Sequence, residues 1–269
     1  MTRREPVPRA AARAPAGDTQ RVSKILAARG ICSRREADRL IAAGCVAVDG
    51  VVVEQGAKAA LDAVIDVSAA GRDSLASSLT LALHKPVGIV STMAQGNQTE
   101  ATTLITRANA AEVVDEETMR RVLASRGLAV AGRLDRASRG LMIVTDDGVV
   151  ARALIGGNRI AKRYLVTLAA DVADGQVERL NRPMRLDERR LLPMKVERRS
   201  RRVLRFELVE GMKHQIRRCC GKVGLEVVDL MRDAIGPIQL GDLAPARWRP
   251  LSRGEVAAVR ASVVSSGNA

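Results

Sequence analysis

The sequence is very poor in aromatic residues. Of 269 residues, one is Phe, one is Trp and one is Tyr, whereas 46% are hydrophobic. The core must therefore be built mainly from Val, Leu, Ile and Ala. Any aromatic side chain that takes part in binding has to be Tyr164, Phe206 or Trp248.

The sequence also lacks the signals of metal-binding, secreted and membrane-spanning proteins. Its four cysteines form no Cys-x-x-Cys pair and its two histidines are far apart, so we expect free thiols in a reducing setting and no metal site. It shows no secretory signal, and no apolar run is long enough to cross a membrane. We therefore expect a cytoplasmic protein that has no membrane partner.

Acidic residues are outnumbered by basic ones. Asp and Glu total 30, Lys and Arg total 44, and the formal net charge is +14. Such an excess favours a polyanionic partner, and the prevalence of arginine suits phosphate forks and base edges. A composition biased toward Ala, Arg, Val and Gly is the alternative explanation, and it stays open at this point.

Composition and patterning predict four segments. Residues 1–19 are rich in Pro, Ala and Arg and are expected to form a disordered basic tail, either an RNA-touching arm or a solvated extension. Residues 20–67 predict a compact helix–helix–hairpin domain, and the small polar residues 68–78 a linker. Residues 79–262 predict an α+β domain with a mixed, mostly antiparallel sheet.

Local signals define the N-terminal domain. Ser33 and Glu36 form a capping box at the start of a helix that ends at Gly44. The pair Asp49-Gly50 between two valine-rich runs predicts a two-residue hairpin.

Basic residues lie off the buried stripe of the helices in this domain. Cations in the first turn of a helix oppose its dipole, and a phosphate bound between them would remove that conflict. A solvated polar face is the ordinary alternative, although the density of positive charge favours RNA contact. The candidate RNA-binding residues are Arg21, Lys24, Ser33, Arg34, Arg35 and Arg39.

The most informative motif is Gly132-Arg133-Leu134-Asp135. It lies between the apolar runs Leu128–Ala131 and Leu141–Thr145, which predicts a loop between two strands with Asp135 on the loop. Loops carried by rigid strands are common sites of reactive groups. Arginines at 133, 136 and 139 would keep the carboxylate ionised and attract a polyanion. We interpret Asp135 as a reactive carboxylate in a basic cleft.

Tyr164 is the second candidate. It lies near the start of a predicted strand beside Lys162 and Arg163, where it could stack on an extruded base. An ordinary half-buried tyrosine of a strand is the alternative.

Residues 215–224 predict a helix whose apolar face holds Ile216, with Gly224 as its terminator. Arg217 flanks that face, so its guanidinium could fork onto the carboxylate of Asp135. The nearby His214 is more typical of a structural or phosphate contact than of an acid/base group.

These motifs occur in the order found in pseudouridine synthases of the RsuA type, the ribosomal group with an N-terminal S4 RNA-binding domain. From Arg21 to about Val259 the chain resembles this family. The turn Val-Asp-Gly replaces the commoner Val-Asn-Gly, and Cys219-Cys220 replaces a usual Met, but neither departure touches a candidate catalytic residue. The matching motifs of the catalytic domain are Lys85-Pro86-x-Gly88, Gly132-Arg133-Leu134-Asp135, Thr145-x-Asp147-Gly148, Lys162-x-Tyr164-x-Val166, Gln215-Ile216-Arg217-Arg218 and Ile235-Gly236-Pro237.

The resemblance implies an enzyme that isomerises a uridine of ribosomal RNA to pseudouridine without cofactor or metal. It makes Asp135 the catalytic aspartate, either as nucleophile at C1′ or as base at C2′, and the sequence leaves both routes open. The expected substrate-binding residues are Tyr164, which stacks on the flipped base, Arg217, which orients Asp135, Ile216 beneath the base, and Arg133.

The partner expected from the resemblance is ribosomal RNA, and the stretch His214–Cys220 favours the large subunit. We expect a monomer, and the sequence does not specify which uridine is modified. One alternative is a non-catalytic S4-type RNA-binding or ribosome-assembly protein, which the intact set Asp135, Tyr164 and Arg217 disfavours. Another is a DNA-binding module, but the hairpin directly after the two helices fits an S4 domain better.

Overall fold

The computed structural model describes residues 18–155 and 160–264, and it divides into two compact units. One unit holds the described residues up to Ser78 together with Asp147–Val149. The other holds Leu79–Asp146 and the residues from Val150 onward. The domain boundaries expected from the sequence stay predictions.

The first unit is a helix–helix–hairpin fold with two small sheets. β1 pairs with β4, and the order of the other sheet is β3-β2-β5. Ser33 and Glu36 form the predicted capping box, and Asp49 and Gly50 both adopt positive φ in the two-residue turn between β2 and β3. The elements are β1 (Thr19–Arg21), α1 (Val22–Ala28), α2 (Arg34–Ala42), β2 (Val46–Val48), β3 (Val51–Val52), β4 (Lys58–Ala60), β5 (Ile65–Val67) and α3 (Ala69–Ala76).

Two expectations for this part of the chain need correction. The predicted tail 1–19 lies mostly outside the described residues, but its last residue, Thr19, pairs with Ala60 in a strand. The segment 68–78, predicted as a linker, contains the helix α3. The Ser68 side chain caps that helix by accepting a hydrogen bond from Gly71 N (3.2 Å). A helix of small residues lacks the apolar stripe that would have indicated it.

A nine-stranded sheet dominates the second unit. Its order is β12-β13-β9-β14-β8-β6-β16, with β15 beside β14 and β7 beside β8. All pairs are antiparallel except β8 with β14, so the predicted mixed, mostly antiparallel sheet is confirmed. β10 and β11 form a separate two-stranded sheet. The strands of the unit are β6 (Thr80–Lys85), β7 (Ala129–Val130), β8 (Arg139–Thr145), β9 (Lys162–Leu168), β10 (Arg185–Leu186), β11 (Arg189–Arg190), β12 (Lys195–Ser200), β13 (Val203–Leu208), β14 (Val227–Ile235), β15 (Ile238–Gln239) and β16 (Trp248–Pro250).

Helices accompany this sheet, and each of its faces carries its own apolar core. On β8, Leu141 and Ile143 belong to one core, whereas Met142 and Val144 belong to the other. This alternation explains why a continuous apolar run forms a strand that is buried on both faces. The helices are α4 (Glu116–Ala124), α5 (Gly148–Ile155), α6 (Asp174–Asn181), α7 (Gln215–Lys222) and α8 (Arg253–Val264), and short 3-10 turns lie at Ala101–Leu104 and Arg107–Asn109.

Two local features lie next to the strand β6. Residues 89–92 form no strand and make a single bridge, between Val90 and Glu100. His84 and Lys85 complete β6 and are buried.

Candidate active site

A cavity of about 790 Å³ in the second unit contains the candidate catalytic residues. Its walls come from the loop between β7 and β8, from β9 and β14, and from the segment that enters α7. The five candidates named for this site all line it: Arg133, Asp135, Tyr164, Ile216 and Arg217. Residues that are distant in sequence are therefore brought together in one pocket.

Backbone contacts hold the loop that carries Asp135. The buried Ser91 hydroxyl lies 2.6 Å from Leu134 O, to which it donates, and 2.8 Å from Leu134 N, from which it accepts. On the other side of Asp135, Arg136 donates through Nε to Gly88 O (3.0 Å), and Gly88 N donates to Arg136 O (2.9 Å). Both neighbours of Asp135 are thus fixed, and Asp135, whose side chain is 39% exposed, lines the pocket.

The expected ion pair between Arg217 and Asp135 is not formed in the structure. Arg217 donates through Nη1 to Val227 O and through Nη2 to Ala137 O, both at 2.9 Å. Its guanidinium is aligned by backbone carbonyls, one of which belongs to the Asp135 loop. Arg217 therefore stabilises that loop through Ala137. Its predicted place at the pocket agrees with the structure, but its predicted ion pair with Asp135 does not.

His214 contacts the carboxylate that had been assigned to Arg217. Its Nε2 lies 3.6 Å from Asp135 Oδ1, and its backbone adopts a left-handed conformation with φ of 54° at the entry of α7. Such a conformation is uncommon for a residue other than glycine, and it directs the ring differently from a helical position. The sequence pattern predicted a minor role for His214 because a lone histidine on a helix is more often a structural or phosphate contact. It did not predict the left-handed turn that places the ring next to Asp135.

Two acids line the cavity within the described residues, and they differ in availability. Glu210 Oε1 accepts hydrogen bonds from Leu192 N (2.9 Å) and Gln215 Nε2 (3.1 Å), and only 10% of the side chain is exposed. Asp135 is more exposed and has no comparable set of donors. Asp135 is therefore the carboxylate that a substrate in this pocket could reach.

Of the three aromatic residues, only Tyr164 is placed to meet a ligand. Phe206 and Trp248 are completely buried in the apolar core, whereas Tyr164 is 9% exposed and lines the cavity. Tyr164 packs on β9 directly opposite Arg232 of β14. Directly paired residues of an antiparallel sheet project to the same face, so the ring and the guanidinium are neighbours.

Sequence patterns missed three cations at or next to the site. Arg232 is 1% exposed, lines the pocket and donates through Nε to Leu141 O (2.8 Å). Lys85 is fully buried, and its Nζ donates to Pro86 O and Ile89 O, both at 2.8 Å. Burial lowers the pKa of Lys85 to about 8, with the Asp135 charge opposing the shift and the Arg232 charge adding to it. Lys162 also lines the pocket, and burial, then the Arg232 charge, lowers its pKa.

The candidate RNA-binding residues all lie in the first unit. Ser33 is partly buried, and its hydroxyl accepts a hydrogen bond from Glu36 N (3.2 Å) as the helix cap. The basic candidates, which are exposed, are Arg21, Lys24, Arg34, Arg35 and Arg39.

Two searches of the described part of the chain gave negative results. No helix there is both long and apolar enough to cross a membrane. No group of three or more His, Cys, Asp or Glu side chains there could hold a metal ion.

Comparison with known proteins gives the class and the family. The S4 domain profile matches residues 20–62, and the profile of RNA pseudouridylate synthases matches residues 80–222. The fold and the matched domains thus define an RNA-modifying enzyme with an S4 RNA-binding domain. The chain belongs to the RNA pseudouridylate synthase family, which confirms the resemblance and the fold class expected from the sequence.

Individual relatives agree with this assignment. The chain is 34% identical over 241 residues to the dual-specificity RNA pseudouridine synthase RluF of Salmonella typhi, covering 88% of this chain and 77% of that protein. It is 33% identical over 249 residues to an uncharacterised RNA pseudouridine synthase of Mycobacterium leprae, covering 88% and 90%. A crystal structure of a pseudouridylate synthase shares the fold, with a TM-score of 0.59, 24% identity and coverage of 89% of this chain and 99% of that one.

Proposed function

We propose that this protein isomerises a specific uridine of ribosomal RNA to pseudouridine, with Asp135 as the catalytic carboxylate and without a cofactor. The observation that carries the proposal is the pocket itself, whose lining includes an exposed carboxylate, the only tyrosine of the sequence and several cations. The relatives named RluF are pseudouridine synthases, and this chain covers 77% of the length of the Salmonella protein.

The reaction breaks the bond between N1 and C1′ and makes a bond between C5 and C1′. Asp135 either attacks C1′ or removes the C2′ proton, and both routes use the same carboxylate. The target base must leave its helix first, at a cost of a few kcal/mol, and stacking on Tyr164 at about 1–3 kcal/mol offsets part of that cost. Ile216 would lie beneath the base.

Positive charge supports RNA as the substrate. The basic candidates of the S4 domain are exposed, and Arg133 is exposed at the pocket. These groups would bind phosphates and give RNA affinity that decreases with salt. We further propose that the substrate is large-subunit rRNA, that the protein is a cytoplasmic monomer, and that the domains span residues 20–67 and 79–262.

The test is an isosteric substitution, Asp135→Asn. The purified wild type is incubated with rRNA fragments without any cofactor, and pseudouridine is measured by mass spectrometry after nuclease digestion. We expect the variant to retain RNA affinity and to form no pseudouridine. The matched control is Asp174→Asn, since Asp174 is 90% exposed at the start of α6 and does not line the pocket. Pseudouridine formed by Asp135→Asn would refute the assignment of this residue.

The alternative function is a non-catalytic S4-type RNA-binding or ribosome-assembly protein. It would bind structured rRNA with the same salt dependence but leave every uridine unchanged. A wild-type protein that binds the fragments and modifies none of them would favour this alternative.

A further inference from the structure

Three cations, Lys85, Lys162 and Arg232, lie at or next to the pocket, where Asp135 is the more exposed of the two lining acids. The Arg232 charge lowers the pKa of Lys162 and of Lys85, in both cases after the larger effect of burial. Asp135 is the carboxylate that acts on Lys85. Lys85 donates to two carbonyls, and Arg232 donates to Leu141 O (2.8 Å) and Arg133 O (3.3 Å). Carbonyls accept hydrogen bonds but carry no net charge, so the positive charge of these groups is not cancelled by them.

Neither Lys162 nor Arg232 has a full set of hydrogen-bond partners among the described residues. Lys162 Nζ makes one long hydrogen bond there, to Ile160 O at 3.5 Å. Arg232 Nη2 is shielded from solvent and has no hydrogen-bond partner among residues 18–155 and 160–264. An unpartnered buried donor destabilises the folded protein, and a buried charge without a counter-ion does so more strongly. Cations that lack such partners are available to bind an anionic group of the substrate.

Their position identifies the part of the substrate that they would meet. Lys162 and Tyr164 are two residues apart on β9 and so share a face of the sheet, and Arg232 is paired directly with Tyr164. A base stacked on Tyr164 therefore lies beside both cations. Phosphates remain on the outside of the nucleotide, where Arg133, Arg136 and Arg189 are exposed along the same pocket.

We propose that Lys162 and Arg232 form an anion site for the uracil base, where the Lys162 ammonium, backed by the buried Arg232 charge, stabilises the detached base. The proposal rests on the proposed function. It adds two residues, neither of which was among the candidates from sequence, to the machinery around Asp135.

The chemistry requires such a site. When the N1–C1′ bond breaks, its electron pair leaves with uracil, whose negative charge is shared by N1, O2 and O4. C1′ is completed by a bond to an Asp135 oxygen, or by a double bond to C2′ after Asp135 takes the C2′ proton. C5 of the base then bonds to C1′ as the carboxylate leaves or returns its proton. The C5 proton is lost and N1 gains one, so no oxidant or reductant is needed.

The test compares two leaving groups in a single-turnover reaction. An rRNA fragment that the wild type modifies is prepared with uridine or 5-fluorouridine at the target, and loss of the target nucleoside is followed by chromatography after digestion. 5-Fluorouridine has no C5 proton to lose, so its rearranged base keeps fluorine at C5 and takes up water across the N1=C6 bond. Disappearance of the starting nucleoside is therefore the measure common to both RNAs. Fluorine withdraws electrons and stabilises the negative charge of the detached base. The 5-fluorouracil anion therefore depends less on the Lys162 ammonium. We expect Lys162→Met to slow uridine conversion by about 10²-fold, the usual effect of losing one such group, and to slow 5-fluorouridine conversion much less.

Matched variants separate this effect from general loss of charge. Lys213 is an exposed lysine lining the same pocket, so Lys213→Met should change both reactions by the same factor. Arg232→Lys keeps the buried positive charge. Its rate of uridine conversion should therefore be much closer to that of the wild type than to that of Lys162→Met. Because Arg232 is fully buried, thermal unfolding of Arg232→Lys is measured to check that it folds. If it does not fold, the result of Lys162→Met alone tests the anion site.

Equal fold-losses of Lys162→Met on the two RNAs would overturn the anion site and leave the proposed function intact. A wild type that converts neither RNA nor any other rRNA fragment would overturn the proposed function, and the anion site with it.

Discussion

Replacing Ser91 by alanine should weaken the loop that carries Asp135. The Ser91 side chain is 4% exposed and forms two short hydrogen bonds with the backbone of Leu134. Alanine would leave a buried N–H and a buried C=O without partners, at about 1–3 kcal/mol for each unsatisfied group. Allowing for local relaxation, we expect the free energy of unfolding of the second unit to fall by about 2–3 kcal/mol.

The same change should reduce activity. Leu134 directly precedes Asp135, so a looser Leu134 misplaces the carboxylate relative to the substrate. A displacement of about 1 Å costs up to about 10²-fold in rate, and we expect the single-turnover rate of Ser91→Ala to fall by about ten- to a hundredfold. RNA affinity should change little because the Ser91 side chain is only 4% exposed and its hydroxyl is bonded to the backbone of Leu134.

The assay uses the single tryptophan of the chain. Trp248 lies in β16 and is fully buried, so its fluorescence in denaturant follows the second unit alone. The control is Ser138→Ala in the same loop, since the buried Ser138 hydroxyl has no hydrogen-bond partner in the described structure. That variant should be as stable as the wild type. If Ser91→Ala and Ser138→Ala had equal stability and equal rates, the reasoning would be refuted.

Two further predictions use the same fluorescence assay. Gly140 has φ of 113°, and an added Cβ would lie 2.3 Å from Arg232 O, so Gly140→Ala should destabilise by more than about 3 kcal/mol. Gly175→Ala, where a Cβ meets no atom within 4 Å, should change stability by less than about 1 kcal/mol, and similar values for the two would contradict this. Lys85 has a pKa of about 8 in the folded protein against 10.5 when unfolded, so the unfolded state binds more protons between these values. The stability of the wild type relative to Lys85→Met should therefore rise from pH 8 to pH 10.5, and a flat difference would contradict the shift.

Local signals in the sequence predicted much of the fold. The capping box at Ser33 and the Asp49-Gly50 turn act within a few residues, so their outcome depends little on the rest of the chain. The apolar run Leu141–Thr145, which lies in β8, predicted a strand because its signal is likewise contained in a few consecutive residues. The helix α3 was missed because it has only one buried residue, Gly71, and therefore no apolar period.

Site residues could be predicted from the sequence when their residue type alone suggests their chemistry. They could not be predicted when their role depends on being buried. The motif containing Asp135 and the single tyrosine could be found by inspection. The burial of Arg232 and Lys85 could not, because charged residues are usually exposed and only the pairing of distant strands encloses them. The contact of Arg217 was mistaken since carbonyls of Ala137 and Val227, which the sequence does not place, compete with the carboxylate.

The parallel pair of β8 and β14 has a consequence for how the protein is made. These two strands are neighbours at the centre of the sheet but are separated along the chain by residues 146–226. At about 5–20 residues per second, a ribosome needs about 4–16 s to bridge that interval. During this time Leu141 and Ile143 lack the neighbouring strand, and the nascent polypeptide is open to chaperones. A chain that stops short of Val227 holds Asp135 without the pocket wall that β14 supplies, so the catalytic pocket is complete only after translation has passed Ile235.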